Sequence, residues 1–160
     1  MELDEQTVEM IKNVVKEKKI HTLWFEAHYM YKNQLAKFAE QFDGVEVKFR
    51  CGVESFDGSL REPWNKGIAA SVTAQDVAKH FHGVCLLCCM QGDSKERILK
   101  DIALAEQYFE YASVNVFCEN STSLKRDNAL AKWFVEEVYP NLKDSSKIEV
   151  LVENTDLGVG

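Results

Sequence analysis

Apolar positions along the chain follow two periods that take turns. Val8, Ile11, Val14 and Val15 recur at helical spacing and lead into a strand-like run over 21–26. The helical period returns over 29–42, with Leu35, Phe38 and Phe42 on one face, and Gly44 stops it. Residues 45–51 alternate strictly, as a strand with one polar face does. A helix over 73–81, opened by the capping-box spacing of Thr73 and Asp76, precedes an apolar run over 84–90. Asp93 and Glu96 repeat that spacing before a helix that runs to Tyr108, and 113–118 predicts a fourth strand. The last helix is predicted over 126–138, with Leu130, Trp133, Phe134 and Val138 inward. Tyr139-Pro140 ends it, and the fifth strand covers 148–152.

Five strands alternating with helices predict parallel βαβ units in a single α/β domain spanning residues 1–160. The unbroken apolar character of the third strand implies that helices cover the sheet. Periodicity does not decide between an open sheet and one that curls into part of a barrel. The composition, 46% hydrophobic and 28% charged, is that of a folded globular chain. A net charge of −7 disfavours nucleic acid and anionic membranes as partners. With no apolar run long enough to span a bilayer and no signal peptide, the expected location is the cytoplasm. Cys51, Cys85, Cys88, Cys89 and Cys118, an odd set inside or beside apolar stretches, read as free thiols.

Ligands of parallel α/β folds collect at the carboxyl ends of the strands. Those ends carry Glu26 and His28; Gly52, Glu54 and Ser55; Gln91, Gly92 and Asp93; Glu119, Asn120, Ser121 and Thr122; and Glu153, Asn154, Thr155 and Asp156. A carboxylate at every end suits a ligand with a positive centre and several hydroxyls or amines. The same residue types also begin loops and cap helices for local reasons.

Three segments in series carry a resemblance. Gly52-Val-Glu-Ser-Phe-Asp57, entered from a strand, resembles the fourth-strand turn of radical-SAM enzymes, which meets S-adenosylmethionine (SAM). Cys85-Leu-Leu-Cys-Cys-Met-Gln-Gly-Asp-Ser-Lys-Glu96 is similar to that family's fifth strand, and Val114-Asn-Val-Phe-Cys-Glu-Asn-Ser-Thr122 to its sixth, beside the adenine. The resemblance implies a partial TIM-type barrel, a half-barrel, in which Gly52, Glu54 and Ser55 face the methionine or ribose of SAM. It places Asn115 and Val116 near the adenine, and Glu26, His28, Glu119 and Asn120 toward a small-molecule substrate.

Departures from the family pattern shape the expectation. The Cys-x-x-x-Cys-x-x-Cys signature that holds a [4Fe–4S] cluster does not occur in the sequence, nor does the Gly-Gly-Glu-type turn. Cys88 and Cys89 stand where the family often has glycine. Cys85 and Cys88 are expected on opposite strand faces. Cys85 and Cys89 share a face but are too far apart to chelate, and Cys51 and Cys118 could face one another across the cleft. No metal site is therefore expected. By this resemblance the chain is a fragment or truncated form of a radical-SAM enzyme. The cluster belongs to a complete parent, and a cluster-bearing segment or a second copy could pair along the edge of the first strand. The other reading is a self-contained, non-catalytic α/β binding or interaction module. Phosphate-binding glycine loops and a nucleophile elbow do not occur, and Trp64 reads as structural.

Overall fold

The alternating periods become five parallel strands joined by helical crossovers. The computed structural model describes residues 3–62, 64, 66–119 and 123–152. Its strands are β1 (Thr22–Glu26), β2 (Glu46–Glu54), β3 (Gly83–Cys88), β4 (Tyr111–Val116) and β5 (Ile148–Leu151). They pair in the order β1-β2-β3-β4-β5, every pair parallel. A doubly wound sheet reverses its strand order and uses both faces. Sequential parallel neighbours with crossovers of one hand instead stack their helices on one side and curl the sheet. The chain is an α/β half-barrel.

The strand period of two separates the faces. Phe49, Cys51, Val53, Val84, Leu86, Cys88, Ala112, Val114, Val116 and Ile148 are buried in one hydrophobic core. The helices α1 (Glu5–Lys18), α2 (Leu35–Ala39), α4 (Ala74–Ala78), α5 (Lys95–Tyr108) and α6 (Asn128–Trp133) cover that face through Val8, Leu35, Phe38, Val77, Ile98, Ile102, Ala105 and Leu130, and the short α3 (Gly58–Arg61) follows β2. The opposite, concave face carries Trp24, Glu26, Lys48, Arg50, Gly52, Cys85, Tyr111, Asn115 and Glu149, and Trp24 is 41% exposed there. Among the described residues, helices thus cover one side of the sheet, not both. The third strand is apolar throughout because Cys85 lies inside the curl and is shielded by neighbouring strands.

Several predicted boundaries move for identifiable reasons. The helix predicted over 29–42 is a 3-10 turn (Tyr29–Tyr31) capped by His28, followed by the short α2. Strand β2 continues three residues past Cys51 to Glu54. Thr73 and Asp76 form the expected capping box on α4. Helix α5 is capped by Ser94, which accepts from Arg97 N, and Asp93 turns to other partners. Pro140 does not end the last helix. A π turn (Phe134–Val138) absorbs the missing donor and α7 (Tyr139–Leu142) follows.

Asp93 joins a buried ion cluster at the carboxyl ends of β2 and β3. Arg97 donates from Nε to Asp93 Oδ1 at 2.6 Å, from Nη2 to Asp93 Oδ2, from Nη1 to Asp101 Oδ2 at 2.8 Å, and to Leu87 O at 3.3 Å. The three side chains are at most 7% exposed. Asp93 also accepts from Cys89 N at 2.9 Å and Asp101 from Phe56 N at 3.2 Å. Burial raises the Asp101 carboxyl above its ordinary range, against the pull of Ser55 and Arg97. Removing the one cation leaves two buried carboxylates without it. Arg97→Met is expected to destabilise the fold by about 3–5 kcal/mol, read as a lower urea midpoint with an unchanged slope.

Candidate functional site

The carboxyl ends of β1 and β2 meet across a residue with no side chain. A Cβ at Gly52 would lie 3.5 Å from Glu26 Oε1, 3.5 Å from Glu54 Oε1 and 4.0 Å from Lys66 Nζ. Two carboxylates therefore converge on a space that the glycine keeps clear. Glu26 is held from below: Arg50 Nε donates to its Oε2 at 3.1 Å, and Cys85 Sγ lies 3.6 Å from the same oxygen. Its other oxygen faces the gap.

Glu54 reaches this gap beside a backbone irregularity. The β2–β3 register shifts between Gly52 and Glu54, where Glu54 stands opposite Leu86, a core-facing residue. Alternation along β2 puts Glu54 on the face of Arg50 and Gly52, whereas its cross-strand partner Leu86 faces the core. The bulge absorbs this mismatch of register, and Glu54, with a left-handed φ of 61°, keeps its carboxylate on the concave side. Cys89, just past the end of β3, has a φ of 66°. The backbones beside these two residues are those that Asp93 and Asp101 hold.

Lys66 completes the cluster. Its Nζ lies 2.6 Å from Glu54 Oε1, with side-chain exposures of 30% for the lysine and 16% for the glutamate. The loop carrying it is pinned from two sides. Lys66 N donates to Arg61 O at 3.1 Å, and Lys66 O sits 2.6 Å from His28 Nε2. Because His28 Nδ1 accepts from Met30 N at 3.2 Å, the proton is on Nε2, which donates to Lys66. Wholly buried Arg61 donates to Ala69 O, Ala70 O and Val72 O, fixing the rest of the loop.

The other sequence candidates lie apart from the gap. Ser55 is fully buried; its Oγ accepts from Asp57 N and its hydroxyl bonds Asp101, so its side chain is part of the ion cluster. Asn115 sits on the concave face and donates from Nδ2 to Leu86 O at 3.1 Å. The Val116 side chain is in the core, leaving its backbone at the strand end. Exposed Glu119 lies 3.7 Å from Lys125. Asn120 and residues 153–156 lie outside the described residues. Trp64 stands against the Arg97 guanidinium, 5.8 Å from ring centroid to Cζ, which fits a structural role. Arg50 was legible as a polar-face residue of β2, two positions before Gly52. Lys66 was not, because nothing in a loop's sequence shows where the loop folds back.

Among solved structures, a queuine lyase from Clostridium spiroforme bound to SAM and queuine is similar, at 38% identity and a TM-score of 0.88. The match covers 99% of this chain and 68% of that one. The chain belongs to the radical-SAM family. No family model and no curated protein matches.

The cysteines of this radical-SAM chain do not fit a [4Fe–4S] cluster, which needs converging thiolates. Cys51 is in the helix-covered core, so it does not face Cys118 across the cleft. Cys89 does not share the face of Cys85. Its left-handed backbone turns it into the core, where its Sγ lies 3.6 Å from Cys88 Sγ. Burial pushes the Cys51 and Cys85 thiols up to about 12, far from thiolate. Among the described residues no three His, Cys, Asp or Glu side chains are grouped to hold a metal ion, and no helix is long and apolar enough to cross a membrane.

The gap does fit a cationic group. Burial raises the Glu54 carboxyl above its ordinary value of 4.5, while Lys66 acts to lower it. The folded chain thus holds this proton more tightly than the unfolded chain. The contribution to stability is present at low pH and is lost as pH rises through the folded-state value. Glu54→Gln is expected to flatten the stability curve above the ordinary value, and Lys66→Met to steepen it. Urea denaturation between about pH 4 and 7 reads both.

Proposed function

We propose that the chain is the SAM- and substrate-binding part of a radical-SAM barrel, a partial form of such an enzyme. The observation that carries this reading is the convergence of Glu26 and Glu54 on the space above Gly52. SAM bears a sulfonium and an ammonium, and carboxylates in a half-dry cleft attract such groups more strongly than they would in water. Asn115 and the backbone at Val116 lie two strands along the same rim, where the flat adenine would rest. Reductive cleavage of SAM is the chemistry a cluster supplies when bound. Its ligands are not among this chain's cysteines, so a cluster-bearing segment is assigned to the free edge of β1.

The related lyase also binds queuine. A small polar molecule of that class is the substrate assigned to the concave face, with Glu26 as its contact. Glu119 stands just past the end of β4, and His28 acts by holding the Lys66 loop.

Calorimetric titration of the purified chain with SAM tests the reading. Binding is expected in the wild type, with a loss in Glu54→Ala of about 1.5–3 kcal/mol, roughly ten- to hundred-fold in affinity. No heat at millimolar SAM in the wild type, with the fold intact, would leave the chain as a non-catalytic α/β binding module.

A further inference from the structure

The space above Gly52 already has a cation beside it. Glu54 is four-fifths shielded, and Lys66 Nζ contacts it at 2.6 Å while lying about 4 Å from the position a Gly52 Cβ would take. The ammonium of Lys66 thus stands where the proposed ligand's positive group would stand. Its backbone and side chain are differently constrained. The amide and carbonyl of Lys66 are tied to Arg61 and His28, whereas its side chain is held through the Glu54 carboxylate and is 30% exposed at the mouth of the cleft. Four methylenes allow the ammonium to swing into water without moving the loop.

We propose that Lys66 is an internal counter-ion that occupies Glu54 in the free chain and is displaced by a cationic ligand, so that it sets which ligands enter. The inference rests on the SAM reading of the site. Exchange of one cation for another keeps the half-buried carboxylate compensated throughout, so entry never leaves Glu54 charged and alone. A ligand without a positive centre cannot displace Lys66 and meets a cleft that is already neutral. The device therefore selects for cationic ligands at the cost of some affinity for all of them.

Two measurements test this. In calorimetry, Lys66→Met is expected to bind SAM roughly three- to ten-fold more tightly than the wild type, about the worth of a partly exposed ion pair. 5′-Methylthioadenosine, which has neither sulfonium nor ammonium, is expected to bind both forms alike. In acylation of the folded protein followed by mass spectrometry, Lys66 is expected to label faster in Glu54→Gln and faster in the wild type when SAM is added.

Weaker or unchanged SAM binding by Lys66→Met, or protection of Lys66 by SAM, would overturn the displacement and show the lysine serving the ligand itself. If the wild type binds SAM and Lys66→Met gains nothing, this inference alone fails. If neither form binds SAM, the reading of the site fails and takes displacement with it. Binding by Lys66→Met alone would support both.

Discussion

Arg97 sits between two aspartates beneath the carboxyl ends of β2 and β3, and the geometry of the cleft depends on it. Asp93 ties the guanidinium to the amide of Cys89, and Asp101 ties it to the amide of Phe56 and the hydroxyl of Ser55. Those backbones adjoin the two strand-end residues with left-handed φ, Glu54 and Cys89. A non-glycine residue in that region costs of order 1–3 kcal/mol and persists only where its surroundings enforce it. A buried charge cluster is a poor source of net stability, because desolvation offsets most of its attraction. Its contribution here is directional: it fixes where two strands end and therefore where Glu54 points.

The curl of the sheet supplies the other half of the geometry. Sequential strand order leaves one face for helices, so the concave face needs no apolar cover and can carry Glu26, Arg50 and Asn115. Gly52 lies on that face, between the two glutamates, and keeps the approach open. The aromatic residues divide along the same line. Phe25, Phe38, Phe42 and Phe49 pack against one another in the helix-covered layer, whereas Trp24 and Tyr111 meet on the concave side, ring centroids 5.6 Å apart.

Much of this was legible in the sequence wherever periodicity governs. Strict alternation over 45–51 placed Arg50 and Phe49 on opposite faces, and the Gly-Val-Glu-Ser segment marked the turn where the cleft opens. What failed to show were features made by tertiary contact. The left-handed backbone at Cys89 breaks the period of two at the end of β3, so Cys89 was expected beside Cys85 and lies in the core instead. The cap of α5 moved from Asp93 to Ser94 because Arg97 competes for the aspartate, a partner that local spacing cannot reveal. The helical run begun by α6 continues past Val138 into α7 because a π turn accommodates Pro140, where the local rule predicts a stop.

The strand-end carboxylates also change meaning once their partners are known. As a row in the sequence they imply a strongly negative rim. In the fold, Glu26 pairs with Arg50, Glu54 with Lys66, Asp93 with Arg97 and Glu119 with Lys125. Among the described residues these strand-end carboxylates are compensated pair by pair. These pairs are not equivalent. Asp93–Arg97 is sealed from water and cannot exchange its cation. Glu119–Lys125 is exposed on both sides and too weakly coupled to discriminate among ligands. Glu54–Lys66 lies between these limits, shielded enough that its carboxylate needs a cation and open enough that the cation can be replaced. That intermediate burial makes the end of β2, among the described strand ends, the place where recognition of a positive ligand is physically reasonable.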